Sequence, residues 1–91
     1  MSYKIRFTEQ AVEETKRLKK SETAAYKKLR KLLAELIEHP YTGTGKPEPM
    51  KYDYAGCYSR RITKKHRLVY NISEQEITVL ILSTANHYDD R

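Results

Sequence analysis

Apolar and polar side chains alternate with a period of two near the start of the chain, where Tyr3, Ile5 and Phe7 are the apolar members. Such alternation places one set of side chains on each face of a β-strand, so we predict a short strand over residues 3–8. Thr8 at its end is a plausible N-cap. We therefore expect a helix to begin directly after this strand.

Two helices are predicted before the first proline. The first, over residues 9–20, is highly charged, and Val12 and Leu18 are its main apolar contacts. The second, over residues 22–39, has Ser21 as a plausible N-cap. Its apolar positions recur with the i, i+3, i+4, i+7 spacing of a helix that packs one face on a core. These positions are Ala25, Leu29, Leu32, Leu33, Leu36 and Ile37.

The second half of the chain has the pattern of an antiparallel sheet. Pro40 ends the second helix, and a loop with Gly and Pro follows up to residue 49. Alternating side chains then predict four strands, the last of which is apolar enough to lie inside the sheet. The predicted strands are residues 50–54, 57–63, 66–72 and 77–82. This order predicts one α+β domain over residues 1–91, with both helices on one face of the sheet and the other face free for a ligand.

Charge and composition narrow the classes of function. The 18 basic and 12 acidic residues give a net charge of +6, which favours a polyanionic partner such as nucleic acid. Residues 40–73 are the most basic part, with seven basic and two acidic residues. The single cysteine, Cys57, cannot form an internal disulfide and suits a half-buried strand position in a reducing compartment. Because neither a long apolar run nor a secretion signal is visible, we expect a cytoplasmic protein without a membrane partner.

The stretch from Gly45 to Tyr70 contains residue types that cleave RNA without a metal. Such cleavage needs a base for the ribose 2′-OH proton, cations for the phosphate charge and an acid for the 5′-oxygen. Glu48 is the candidate base, because prolines on both sides restrict its backbone. From spacing alone, a simple ion pair with Lys46 or Lys51 explains Glu48 more economically.

The other candidates also have simpler explanations. Arg61 and Arg67 present guanidinium groups that match phosphate oxygens, although an ordinary charged sheet face would look the same. His87 is the candidate acid, although a histidine near a terminus is more often merely solvated. His66 lies among basic residues and is a candidate for RNA contact. The histidines and the cysteine lack zinc-ligand spacing, so we predict no metal and no other cofactor.

Three sequence features together resemble the YoeB/Txe family of toxins in the RelE superfamily. They are GKPEPMK at residues 45–51, SRRITKKHRLVY at residues 59–70 and the pair His87-Tyr88. The resemblance extends along the whole chain. It implies a ribosome-dependent mRNA endoribonuclease that forms homodimers and is neutralised by a cognate antitoxin of the YefM, Axe or Phd kind.

The resemblance also implies a role for each site residue. Glu48 would be the general base, Arg67 would stabilise the transition state and His87 would be the general acid. Tyr88 would orient the substrate, and the cleavage products would be a 2′,3′-cyclic phosphate and a 5′-hydroxyl. The further positions that would contact RNA or support the site are Lys51, Arg61 and His66.

Two other functions are consistent with the sequence. A toxin of the same superfamily could act by binding alone, as the gyrase-poisoning ParE toxins do. A basic RNA-binding module without activity would show strongly salt-dependent binding but no cyclic-phosphate product.

Overall fold

The computed structural model describes residues 2–45, 47–51 and 54–85, in which two helices pack on one face of a five-stranded sheet. The elements in chain order are β1 (Lys4–Phe7), α1 (Glu9–Ser21), α2 (Thr23–Glu38), β2 (Glu48–Pro49), β3 (Cys57–Arg61), β4 (Arg67–Ser73) and β5 (Thr78–Ser83). The predicted α+β class, with its strand, helix pair and later strands, is confirmed.

The strands lie in the order β1-β5-β4-β3-β2. The pairs β2–β3, β3–β4 and β4–β5 are antiparallel, as the sequence indicated, whereas β1 pairs with β5 in parallel. This last pairing joins the two ends of the described chain and makes the sheet mixed. As predicted, β5 lies inside the sheet, hydrogen-bonded on both sides.

Helix α1 begins as the sequence predicted, because the Thr8 hydroxyl accepts a hydrogen bond from the backbone N–H of Ala11 at 3.1 Å. Its buried face, however, consists of Ala11, Glu14 and Leu18. The prediction that Val12 is a main apolar contact is wrong, since Val12 is 37% exposed. The buried positions are spaced i, i+3 and i+7, and this row places Val12 on the flank of the helix.

The predicted capping of α2 by Ser21 is wrong, because α1 continues through Ser21 and Glu22 alone links the two helices. The Glu22 backbone N–H donates to the Leu18 carbonyl and so ends α1. The Glu22 side chain makes no capping hydrogen bond to α2. Four members of the predicted apolar stripe are buried, namely Ala25, Leu29, Leu32 and Leu36. Leu33 is partly buried, whereas the prediction is wrong for Ile37, which is 36% exposed.

The strand predicted over residues 50–54 is not observed at the described residues 50, 51 and 54, because pairing with β3 occurs upstream, at Glu48–Pro49. The Met50 N–H, directly after this short strand, donates to the carbonyl of Cys57, the first residue of β3. The candidate base therefore lies on the edge strand of the sheet instead of in a loop.

Candidate active site

The backbone around Glu48 is fixed to β3 on both sides. The Gly45 carbonyl accepts a hydrogen bond from the Arg61 N–H at 2.9 Å, and the Met50 N–H donates to the Cys57 carbonyl at 2.9 Å. Gly45 has a φ of +86°, and a Cβ there would lie 3.0 Å from the Arg61 carbonyl oxygen. Glycine is therefore the residue that permits this close approach. The Glu48 carboxylate is thus carried by a backbone segment with a defined position.

Arg67 on β4 brings its guanidinium to this carboxylate. Its Nη2 lies 3.0 Å from Oε1 of Glu48, and its Nε and Nη2 donate to Oγ of Ser59 at 3.3 and 3.0 Å. Ser59 is fully buried, so its hydroxyl is a fixed anchor for the arginine. Nη1 of Arg67 and Oε2 of Glu48 have no hydrogen-bond partner within residues 2–45, 47–51 and 54–85. One donor group and one acceptor oxygen therefore remain available to a ligand.

A cleft of about 520 Å³ opens beside this pair. Its lining residues are Lys28, Gly45, Glu48, Arg61, Ile62, Thr63, Lys64 and Arg67. Four of these side chains are cationic and one is a carboxylate, so the cleft has the charge expected for a phosphate-binding site. The predicted site residues Glu48, Arg61 and Arg67 are brought together here, whereas Lys51 is exposed and does not line the cleft.

Lys28 and Lys64 are cleft residues that the sequence did not identify. Lys28 lies on α2, and Lys64 lies in the turn between β3 and β4. Sequence distance hides their proximity, since the packing of α2 beside this turn brings them together. The signal available beforehand was the high density of basic residues, which does not say which of them converge.

His66 is buried in the structure. It is 3% exposed, and its Nε2 lies 3.1 Å from both carboxylate oxygens of Glu22, at the junction of the two helices. The Thr63 hydroxyl accepts from the backbone N–H groups of Lys65 and His66 at 3.1 Å each, which shapes the same turn. Because His66 immediately precedes Arg67, this burial suits support of the site better than direct contact of the imidazole with RNA.

Arg60 is a second arginine whose role the sequence did not reveal. It is fully buried and bonds Glu35 and the hydroxyl of Tyr70, as well as the carbonyls of His39, Thr42 and Thr44. Hydrogen bonds from the Thr44 side chain and backbone, together with Arg60, lower the pKa of Glu35 against the opposing effect of burial. This network fixes the loop that leads from α2 to the Glu48 segment.

Cys57 is half-buried at the start of β3, as predicted. Burial raises the pKa of its thiol, and a hydrogen bond with Asn71 only partly opposes this. A thiol of this kind is a weak nucleophile near neutral pH. The structure thus supports a packing role for Cys57.

One row of residues crosses the sheet from the candidate base to the end of β5. Glu48 is paired with Ser59, Ser59 with Val69 and Val69 with Ser83. A register shift between Val69 and Tyr70 marks a β-bulge at this end of β5. Bulges change the direction of a strand and are frequent near active sites. The predicted residues His87 and Tyr88 follow β5 in sequence and lie outside the described residues.

Comparison with known proteins gives the family. Residues 7–88 match the model of the YoeB-like toxins of bacterial type II toxin–antitoxin systems. The chain belongs to the YoeB family. It is 36% identical to the toxin YoeB of Synechocystis over 85 residues, which cover 93% of this chain and 96% of the relative.

Solved structures of YoeB toxins have the same fold. The YoeB/ParE toxin from Agrobacterium tumefaciens superposes with a TM-score of 0.88 at 32% identity and covers 93% of this chain and 99% of its own. The YoeB chain in a YoeB–YefM complex from Staphylococcus aureus superposes with a TM-score of 0.82 at 35% identity, and the match covers 97% of this chain and 100% of that one. A structure of a YoeB dimer from S. aureus is similar as well. Neither helix in the described part of the chain is long and apolar enough to cross a bilayer.

Proposed function

We propose that this chain is an endoribonuclease toxin that cuts mRNA on the ribosome by attack of a ribose 2′-OH on the adjacent phosphate. The observation that carries the proposal is the Glu48–Arg67 pair, which presents a carboxylate and a guanidinium side by side in a basic cleft. Membership of the YoeB family adds independent support. The chemistry needs no metal, because side chains can supply the base, the charge stabilisation and the acid.

Glu48 acts as the base in this proposal. Its side chain is 61% exposed, so a ribose can approach it, and Oε1 is already oriented by Arg67. Oε2 is then the oxygen that accepts the 2′-OH proton. A fixed backbone and a fixed carboxylate direction lower the entropy that must be lost when the substrate aligns.

Arg67 stabilises the charge that develops on the phosphate. Its side chain is only 19% exposed, and the buried Ser59 hydroxyl holds it in place, so little reorganisation is needed when the phosphate arrives. Lys28, Arg61 and Lys64 surround the same cleft and are suited to the neighbouring phosphates of the strand. Contacts of this kind bind RNA irrespective of its sequence.

His87 completes the proposed site as the acid that protonates the 5′-oxygen, and Tyr88 orients the substrate. The end of β5 supports this role, because Ser83 lies in the same cross-sheet row as Glu48. His87 follows Ala85, the last described residue, by two positions in the sequence.

The proposal includes two protein partners. The S. aureus relative forms a complex with YefM, and we propose that a YefM-like antitoxin neutralises this toxin. The same relative forms a dimer, and we propose a homodimer for this chain as well. A basic cleft is suited to an acidic antitoxin segment that becomes ordered on binding.

Cleavage of mRNA on programmed ribosomes tests the proposed function. The wild-type chain should produce a 2′,3′-cyclic phosphate, and Glu48→Gln should lower the cleavage rate by about 10²–10⁴-fold because the base is lost. Glu76→Gln is a matched control, since Glu76 is exposed and its side chain bonds no other described residue. Wild-type rates in both Glu48→Gln and His87→Ala would refute the roles. Inhibition of DNA gyrase without RNA cleavage would instead support the ParE-like function.

A further inference from the structure

A buried carboxylate outside the cleft holds the end of β5. Glu14 on α1 is 6% exposed, and its Oε1 accepts hydrogen bonds from the Ser83 hydroxyl at 2.8 Å, the Thr84 N–H at 2.8 Å and the Ala85 N–H at 3.2 Å. Its Oε2 accepts from Nε2 of Gln10 at 3.0 Å. One side chain of α1 thus binds three consecutive residues at the point where the sheet ends.

The three bonds do more than anchor a strand. Two successive backbone N–H groups that point at one oxygen fix the direction in which the chain runs on. Thr84 is fully buried and Ala85 is 5% exposed, so neither N–H could exchange its bond to Glu14 for one to water without local opening. His87 follows Ala85 by two residues in the sequence. The backbone is therefore held two residues before the proposed acid.

We propose that Glu14 is a positioning residue of the nuclease, which sets the direction of the chain at Thr84 and Ala85 and thereby the placement of His87. The inference rests on the proposed function, since it concerns the acid of that reaction. A shift of about 1 Å in a reacting group can lower a rate by about 10²-fold, so an anchor of this kind has a measurable effect.

A purely structural role is the competing explanation, because the buried N–H groups of Thr84 and Ala85 need an acceptor whatever follows them. The two roles predict different dependence on His87. A structural residue should lower activity to the same extent whether or not the imidazole is present. A residue that acts through His87 should have no further effect once His87 has been replaced.

The decisive experiment is a double-mutant cycle on programmed ribosomes. Glu14→Ala should lower the cleavage rate by about 10–100-fold in the wild-type background and by nothing further in the His87→Ala background. Glu14→Gln should retain most of the rate, since its amide oxygen can still accept the three bonds. Equal losses from Glu14→Ala in both backgrounds would overturn the proposal, as would a Glu14→Ala rate equal to that of the wild type.

Thr15→Val is the matched control. It removes the 2.8 Å bond between the Thr15 and Thr84 hydroxyls but leaves the bonds of Glu14 intact. It should weaken the same α1–β5 contact with little loss of rate. A rate as low as that of Glu14→Ala would show that any weakening of this contact suffices, which would overturn a specific role for Glu14.

A second measurement separates this inference from the proposed function. The ring-proton signals of His87 can be followed by NMR in the free protein, without substrate. They should move in Glu14→Ala but keep their wild-type positions in Thr15→Val and in Glu14→Gln, which removes the charge and keeps the acceptor. If the wild type cuts no mRNA, the proposed function fails while these signals still decide the role of Glu14. Equal movement in Glu14→Ala and Glu14→Gln would overturn that role, as would no movement in Glu14→Ala.

Discussion

Two glutamate–arginine pairs lie on opposite faces of the same sheet, and they differ in how far their side chains are buried. On the helix-covered face, Arg60 Nη1 lies 3.1 Å from Glu35, and the arginine side chain is fully buried. On the open face, Arg67 Nη2 lies 3.0 Å from Glu48, and the carboxylate is 61% exposed. The distances differ by only 0.1 Å, so contact geometry alone does not distinguish a structural pair from a candidate catalytic one.

The difference lies in the remaining hydrogen-bonding capacity. Arg60 donates to a hydroxyl, a carboxylate and three carbonyls, and Glu35 also accepts from the Thr44 N–H and hydroxyl. A pair with all of its groups bonded internally can contribute to stability but has nothing to offer a substrate. Arg67 and Glu48 each keep one group without a partner among the described residues, beside a cleft. We therefore expect mutations in the first pair to change stability and mutations in the second pair to change activity.

The largest effect is expected when the buried pair is broken. Arg60→Leu would leave the Glu35 carboxylate and the Tyr70 hydroxyl without their partner, together with several carbonyls. Because the Glu35 side chain is itself 33% exposed, the cost comes mainly from the buried acceptors left unpaired, at about 1–3 kcal/mol of unfolding free energy for each. Urea denaturation measures this directly. A loss below ~1 kcal/mol, the range of an exposed ion pair, would remove the distinction between the two pairs.

The second effect concerns activity. Arg67→Ala should lower mRNA cleavage by about 10²–10³-fold, because a preorganised donor to the phosphate is lost. Its unfolding free energy should change by no more than ~1 kcal/mol, since the ion pair is partly exposed. Arg67→Lys should restore little activity, because an ammonium cannot bond Ser59 and a phosphate with the same fork. Arg6→Ala is the control, because it removes a positive charge that lies outside the cleft. A loss of cleavage as large as that of Arg67→Ala would indicate that Arg67 contributes only non-specific RNA binding.

The smallest effect is a dependence of stability on pH. Hydrogen bonds from Thr44 and the Arg60 charge lower the pKa of Glu35 in the folded chain below its ordinary value of 4.5. The lowered pKa contributes stability above pH 4.5, and that contribution is lost as the pH falls through the folded-state value. Glu35→Gln should therefore cost on the order of 1 kcal/mol at neutral pH and reduce the loss of stability in acid. Parallel stability–pH curves for the two proteins would contradict this.

The sequence identified both members of the open-face pair as candidate site residues, although it named Lys46 or Lys51, and not Arg67, as the ion-pair partner of Glu48. Glu48 between two prolines and Arg67 in a basic strand are unusual locally, and the family resemblance assigned them roles. Alternation along β3 placed Arg60 on the same face as Tyr58 and Ile62, but alternation does not show what receives a buried charge. One acceptor, the Tyr70 hydroxyl, is on the neighbouring strand β4, and the others come from α2 and from the loop after it, so they depend on tertiary packing.

Contacts between segments that are distant in the sequence could not be predicted from the sequence. The parallel pairing of β1 with β5 and the position of Lys28 in the cleft both depend on how distant segments pack. Glu14 is one of many charged residues in the sequence of α1, and only the structure shows the N–H groups that it meets. Local patterns thus predicted the elements and their order, whereas the buried polar partners emerged from assembly.

The shortness of β2 restricts how other chains can join this sheet. Only Glu48 and Pro49 form this edge strand, and proline has no N–H to offer a neighbour. An extended peptide could not continue a hydrogen-bond ladder along this rim, which disfavours edge-to-edge aggregation at β2 while leaving the carboxylate accessible. The β1 rim, with four residues and no proline, is the better acceptor for strand addition.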